Sequence, residues 1–290
     1  QRPASRLLVE QSDRTFDLIQ IASMESLAVG GAGVGGLAED HLLTVSGIGA
    51  CLDRLSDDGL LVGCRGIQQP ARDNVKYLAT VGAALRARGV DDPAQHVVIV
   101  RDFLAVCTLV KPTPWRAEQV AAVRAMLETR RLTPVWFPGV REDELNKPDR
   151  LPGPEGGAGD WYHHAAQRLL AADADPHAFV DEWTFDIRPP TDARPYFSDY
   201  FRWRSIGRMR QAFGELWLTR AELAYLFVAA ASGLIAVAGL VLTVLPLLAG
   251  GDGRRAPGKA AGAGYFVALG LAYMAFASPG VMARWEGVIR

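Results

Sequence analysis

Apolar positions alternate between two periods along most of the chain. Phe16 to Ile21 is a short β-branched run and predicts a strand. Ala22 to Gly36 is a glycine-rich loop. From Leu37 the spacing is helical, with Leu42, Val45, Ile48, Leu52 and Leu55 three or four apart. Ser56-Asp57-Asp58-Gly59 reads as a turn and Leu60 to Cys64 as a buried strand. Pro70 and Asp73 open a helix carrying Val75, Leu78, Val81 and Leu85, and Gly89 ends it. Val97 to Val100 and Leu104 to Val110 are two further strands, and the short link between them implies antiparallel pairing. Trp115 to Arg131 is an amphipathic helix, and Thr133 to Phe137 a last short strand. This order predicts an α/β domain over residues 1–138 with a mostly parallel sheet. Strand, loop and helix at its start place ligand binding at the sheet's carboxyl end, near Ser23 to Gly36.

Beyond Pro138 the pattern changes. Arg141 to Asp160 is polar and rich in glycine and proline, which predicts a surface loop. Trp161 to Ala172 and Pro176 to Trp183 predict two short helices, and Asp186 to Arg204 an extended aromatic and basic connector. Residues 139–221 thus form an extension to the domain. Leu223 to Leu248 and Ala260 to Ala283 hold no charged residue. At about 1.5 Å per residue each exceeds a hydrocarbon core of roughly 30 Å, which predicts two transmembrane helices in a hairpin over 222–290. Arg202, Arg204, Arg208, Arg210 and Arg220 precede the first span, against Arg254, Arg255 and Lys259 in the loop. That asymmetry predicts a multi-pass protein of the plasma membrane, with the lipid bilayer as partner and the α/β domain in the cytoplasm.

Charge and cysteine content narrow the function classes. With 31 basic and 32 acidic residues there is no electrostatic footprint for nucleic acid. Cys51, Cys64 and Cys107 are widely spaced and odd in number, which predicts unpaired thiols in a reducing compartment. The first residues lack the apolar run of a signal peptide. His163 and His164 are adjacent on a predicted helix and point to different faces; His41, His96 and His177 have no partner at ligand spacing, so no metal site is expected.

Three stretches carry candidate chemistry. Gly31-Ala32-Gly33-Val34-Gly35-Gly36 matches G-x-G-x-x-G, but nine residues separate it from Ile21, so a lid or plain loop is expected in place of a dinucleotide turn. Glu25, in the loop after the first strand, is the candidate general base, better placed than Asp17. Thr191-Asp192-Ala193-Arg194-Pro195-Tyr196-Phe197 reads first as a membrane-surface anchor built on Tyr196, Tyr200, Phe201 and Trp203. Its alternative is a clamp over the sheet's open end.

FDLIQIASMES, LAEDHLLTVSGIGACLDRLSDDGLLV, PPTDARPYF and YFVALGLAYM together resemble the bacterial spermidine-synthase-like membrane proteins. There an aminopropyltransferase-type fold, related to the class I methyltransferases, is fused to transmembrane helices. The resemblance covers most of Leu7 to Trp203. It implies a Rossmann-like sheet, S-adenosylmethionine or its decarboxylated form as co-substrate, and an amine or other small nucleophile as acceptor. Carried onto this sequence, Glu25 matches the second loop acid, and Ser23, Asp192 and Arg194 are substrate-binding candidates. Ala22 stands where polyamine synthases carry a proton-accepting aspartate, and Ala193 where the family's T-D-D-R-P has an acid. The family's first three strands, with the glycine-rich turn and ribose-binding acid, would precede residue 1. The resemblance therefore implies the C-terminal part of a longer transferase, inactive by itself, with the strand Phe16–Ile21 paired on one side only. The alternative is a non-catalytic domain that regulates or binds a membrane partner.

Overall fold

In the computed structural model the described residues are 4–22, 38–68, 71–146, 149–150, 158–213, 229–241, 264 and 270. The chain divides into two compact units, Gln1–Glu222 and Leu223–Arg290.

The first unit opens with a helix that the sequence pattern did not announce, α1 (Ala4–Gln11), followed by β1 (Phe16–Ala22). Then come α2 (Val45–Asp53), β2 (Leu55–Gly66) and α3 (Asp73–Ala87). A short 3-10 turn, Pro93–His96, leads into β3 (Val97–Arg101) and β4 (Ala105–Val110). α4 (Ala117–Arg130) and β5 (Thr133–Trp136) complete the sheet. Two-residue strands β6 (Asp149–Arg150) and β7 (Ala158–Gly159) pair within the polar stretch. The two expected short helices follow as α5 (Trp161–Leu170) and α6 (Pro176–Glu182), and α7 (Ser205–Phe213) closes the described part.

The five-stranded sheet has the order β1-β2-β4-β3-β5. Only β1 and β2 run parallel; β2–β4, β4–β3 and β3–β5 are antiparallel. The mostly parallel expectation is thus corrected. The short turn after β3 sends β4 back between β2 and β3, so those two co-directional strands do not pair. β1 pairs with β2 alone among the described residues, the single-sided pairing expected for it. β2 begins earlier than the pattern suggests. Ser56 to Gly59, expected as a turn, bulge out of the ladder between the Phe16–Leu55 and Leu18–Leu60 pairs.

α2 and α3 cover one face of the sheet. Ile48, Leu52, Val75, Leu78, Val81 and Leu85 are buried there. α3 is buried almost all round, because α2, α5 and the sheet each take a side. Over the centre of β2, Tyr77 of α3 lies fully buried against Gly63, where a methyl group would come 2.5 Å from the ring carbon Cζ. Overpacking of this kind costs about 1–3 kcal/mol, so Gly63→Ala should lower the urea midpoint accordingly. An unchanged midpoint would mean the ring moves freely. On the opposite face Val123 and Leu127 of α4 pack on Val98, Val100 and Phe137, with Cys107 and Leu109 at the margin.

The cysteine expectation is also corrected. Cys64 and Cys107 form a disulfide, while Cys51 is free and buried. Their separation in sequence hid the pairing. Hairpin formation by β3 and β4 sets Cys107 directly opposite Cys64, with Cα atoms 4.1 Å apart.

In the second unit the chain is helical over 229–241, and its apolar side chains Leu234, Ile235, Val237, Leu240 and Val241 are exposed. Among the described residues no helix is long and apolar enough to cross a membrane. The expected transmembrane helices over 223–248 and 260–283, and the membrane placement drawn from them, are therefore not supported. The rest of both stretches lies outside the described residues.

Candidate functional site

The carboxyl ends of β1 and β2 and the amino end of α2 meet at one side of the sheet, since α2 returns antiparallel between the two strands. Thr44 is the N-cap of α2, accepting a hydrogen bond from the Gly47 amide at 3.1 Å. The connector expected as a membrane anchor lies across this end. Phe197, Tyr200 and Phe201 are buried, and only Trp203 is largely exposed. A belt of lipid-facing aromatics would need the reverse, so the clamp alternative describes the observed packing.

A tight turn starts the strap, with the Arg194 amide donating to the Thr191 carbonyl at 2.9 Å. Backbone bonds then fix both flanks. The Val45 amide donates to the Pro190 carbonyl at 2.9 Å, and the Asp40 amide to the Pro195 carbonyl at 2.6 Å. The turn throws its two charged candidates into different networks. Asp192 accepts from the Ser46 hydroxyl at 2.7 Å, the Thr44 hydroxyl at 2.9 Å and the Arg6 guanidinium of α1. Arg6 is buried and also donates to Glu10 at 2.7 Å. The Arg6 guanidinium, then the Ser46 and Thr44 hydroxyls, hold the Asp192 carboxyl well below the usual carboxylate range.

Arg194 turns the other way. Its guanidinium donates to Asp186 at 3.1 Å and to Asp199 at 3.4 Å. Asp186, 1% exposed, also accepts from Arg188 at 2.6 and 2.9 Å and from Arg202 at 3.4 Å. Burial by itself would raise the Asp186 carboxyl, but Arg188, Lys76 and Arg194 outweigh it and hold it well below the ordinary range. Lys76, buried on α3, donates to the carbonyls of Asp199 at 2.6 Å and Tyr196 at 3.3 Å. Beside it the buried Arg65–Asp73 pair sits under the strap, with the Arg65 guanidinium 4.6 Å from the Phe197 ring centre.

Two hollows adjoin these networks. An open cleft of about 620 Å³ is bounded by α1, α2, α3 and the strap turn, with Arg6, Ser46, Asp53, Arg88 and Asp192 among its lining. A small cavity of about 20 Å³, room for one water, lies between Lys76, Asp186, Arg188, Arg194 and Tyr196. Every cation and carboxylate named in the lining of the larger cleft already has a partner: Arg6 with Glu10 and Asp192, and Arg88 with Asp53. Among the described residues no group of three or more histidines, cysteines or carboxylates could hold a metal ion.

Of the four candidates read from the sequence, Asp192 and Arg194 lie in the strap but act apart, while Ser23 and Glu25 lie outside the described residues, as does the glycine run 31–36. The sequence reading missed Arg6, Lys76, Asp186 and Asp199. Thr44 is a residue type that caps helices, but it fell inside the helical spacing read from Leu37. Nothing local marks Lys76, one of several polar residues on α3, as a group that holds a distant strap. A scan against protein-family models and a search of curated proteins found no match to this chain.

Proposed function

We propose that this chain is the acceptor-side part of a spermidine-synthase-like, adenosyl-donor-dependent transferase domain. The observation that supports it is the strap of Thr191 to Phe197, fastened across the carboxyl ends of a parallel strand pair. In open α/β sheets that end is where ligands bind. Closure there excludes water and aligns reactants, which is most of what a transfer from a sulfonium donor needs from a protein. Ser23 and Glu25, which follow Ala22 in the sequence, are the acceptor-binding and general-base candidates. Arg194 and Asp192 act as positioning residues that hold the strap on α2 and α3. The described residues do not fit the adenosyl donor itself, since they contain no strand-to-helix glycine turn with a ribose-binding acid.

The test is calorimetric titration of the full-length protein with S-adenosylmethionine and, separately, its decarboxylated form. Saturable heat with either is the expected result. Absence of heat with both favours the second reading, a non-catalytic domain that binds a partner. Ala22 and Ala193 speak for that reading, as does the commitment of both Asp192 and Arg194 to ion pairs.

A further inference from the structure

Cys64 and Cys107 stand out because their bridge is not what holds their strands together. β2 and β4 share an unbroken antiparallel ladder from Leu61–Val110 to Gly66–Ala105, and the bridge spans one rung of it. The 4.1 Å Cα separation is that of a non-hydrogen-bonded rung, where opposed side chains stand closest. Breaking the sulfur–sulfur bond leaves every backbone bond of the ladder available.

The bridge is also reachable. Both cysteines are half-buried, on the face of the sheet opposite α2 and α3. α4 shields the Cys107 side of that face. Among the described residues of β1 on the same face, Gln20, two rungs from the Ala22–Cys64 pair, is exposed, and Leu18, four rungs away, is 55% exposed. Exposed cross-links are the ones that exchange with external thiols, whereas buried ones resist. The third cysteine offers a contrast within the same chain. Cys51 is fully buried in α2, and burial pushes its thiol up to about 11, so it neither attacks nor is attacked.

Position gives the pair a consequence. Cys64 lies opposite Ala22, the last residue of β1 before the candidate loop, and is followed by Arg65, which pairs with Asp73 beneath the strap. The bridge therefore ties the parallel strand pair to the hairpin at the end of the sheet where the strap closes.

We propose that Cys64 and Cys107 are a reversible dithiol–disulfide site, reduced in the folded protein by a small or protein-borne dithiol. One thiolate of the reductant attacks one Sγ and displaces the other cysteine as thiolate. The second thiol of the reductant then resolves the mixed disulfide. Cys64 and Cys107 gain two electrons and two protons, and the reductant leaves as its own disulfide.

Thiol counting by alkylation and mass spectrometry tests this without reference to any donor or acceptor. Air-oxidised protein should label at no cysteine when folded and at Cys51 alone in urea. Treated with dithiothreitol while folded, it should label at Cys64 and Cys107 and not at Cys51, with an unchanged far-ultraviolet spectrum. Once the dithiothreitol is removed, oxidised glutathione should return the count to zero. Three labelled thiols in urea without reductant would overturn the pairing. A bridge that dithiothreitol reduces only in urea would overturn the reversible site and leave a purely structural cross-link.

Discussion

Asp186→Ala should cost about 3–5 kcal/mol, the penalty typical of removing one partner from a buried ion pair. Asp186 is the acid shared by Arg188, Arg194 and Arg202, and Arg202 and Lys76 are themselves buried. Without it Arg188, Arg194 and Arg202 lose the carboxylate they share. Against a total stability of about 5–15 kcal/mol the loss is large. A urea titration by tryptophan fluorescence reads it as a lower midpoint at constant slope. Asp186→Asn keeps the shape and one acceptor, and should lose nearly as much, because charge is what the arginines lack. A loss below about 1 kcal/mol in both variants would mean that solvent takes over the role of the carboxylate.

The same residue shows why part of the site was illegible. Strands and helices are written in local periodicity, so β1, α3, β3, β4, α5 and α6 emerge near their observed bounds. The parallel β1–β2 pair with its intervening helix was equally legible. Asp186 and Lys76 are 110 positions apart, and no local pattern brings an acid and a base together over that distance. Cys64 and Cys107 failed for the same reason, since their pairing depends on β4 inserting beside β2. α1 was missed because eight residues give little periodic signal, and its importance rests on one side chain, Arg6, which reaches the strap.

The uncharged C-terminal stretches teach the opposite lesson. There the local signal was strong, yet among the described residues no helix is long and apolar enough to cross a membrane. The connector was misread along with it. Beside an expected membrane Tyr200 and Phe201 read as interfacial anchors, yet both are buried, and Tyr200 lies beside Arg72 and Lys76. Aromatic and basic residues in alternation suit either role, and burial separates them.

Acid should release the strap before it unfolds the rest of the domain. Asp192 and Asp186 both have folded-state values depressed below the ordinary carboxylate range, the first chiefly by Arg6, the second by its arginines against the effect of burial. A depressed carboxyl stabilises the fold fully above its unfolded value of about 3.9, and that stabilisation is lost as pH falls through the folded value. From pH 7 to 5 these two groups should leave the urea midpoint flat, and below about pH 4 the midpoint should fall. Asp192→Asn should flatten part of that fall. The two pairs also separate by salt. Asp192 is 41% exposed and its pairing with Arg6 should weaken at 1 M salt, where the screening length is about 3 Å. Asp186, enclosed, should hardly respond. If the wild-type midpoint stays level down to pH 3, neither carboxylate holds the strap, and its attachment rests on the Pro190 and Pro195 backbone bonds and on Phe197 and Tyr200 packed beneath it.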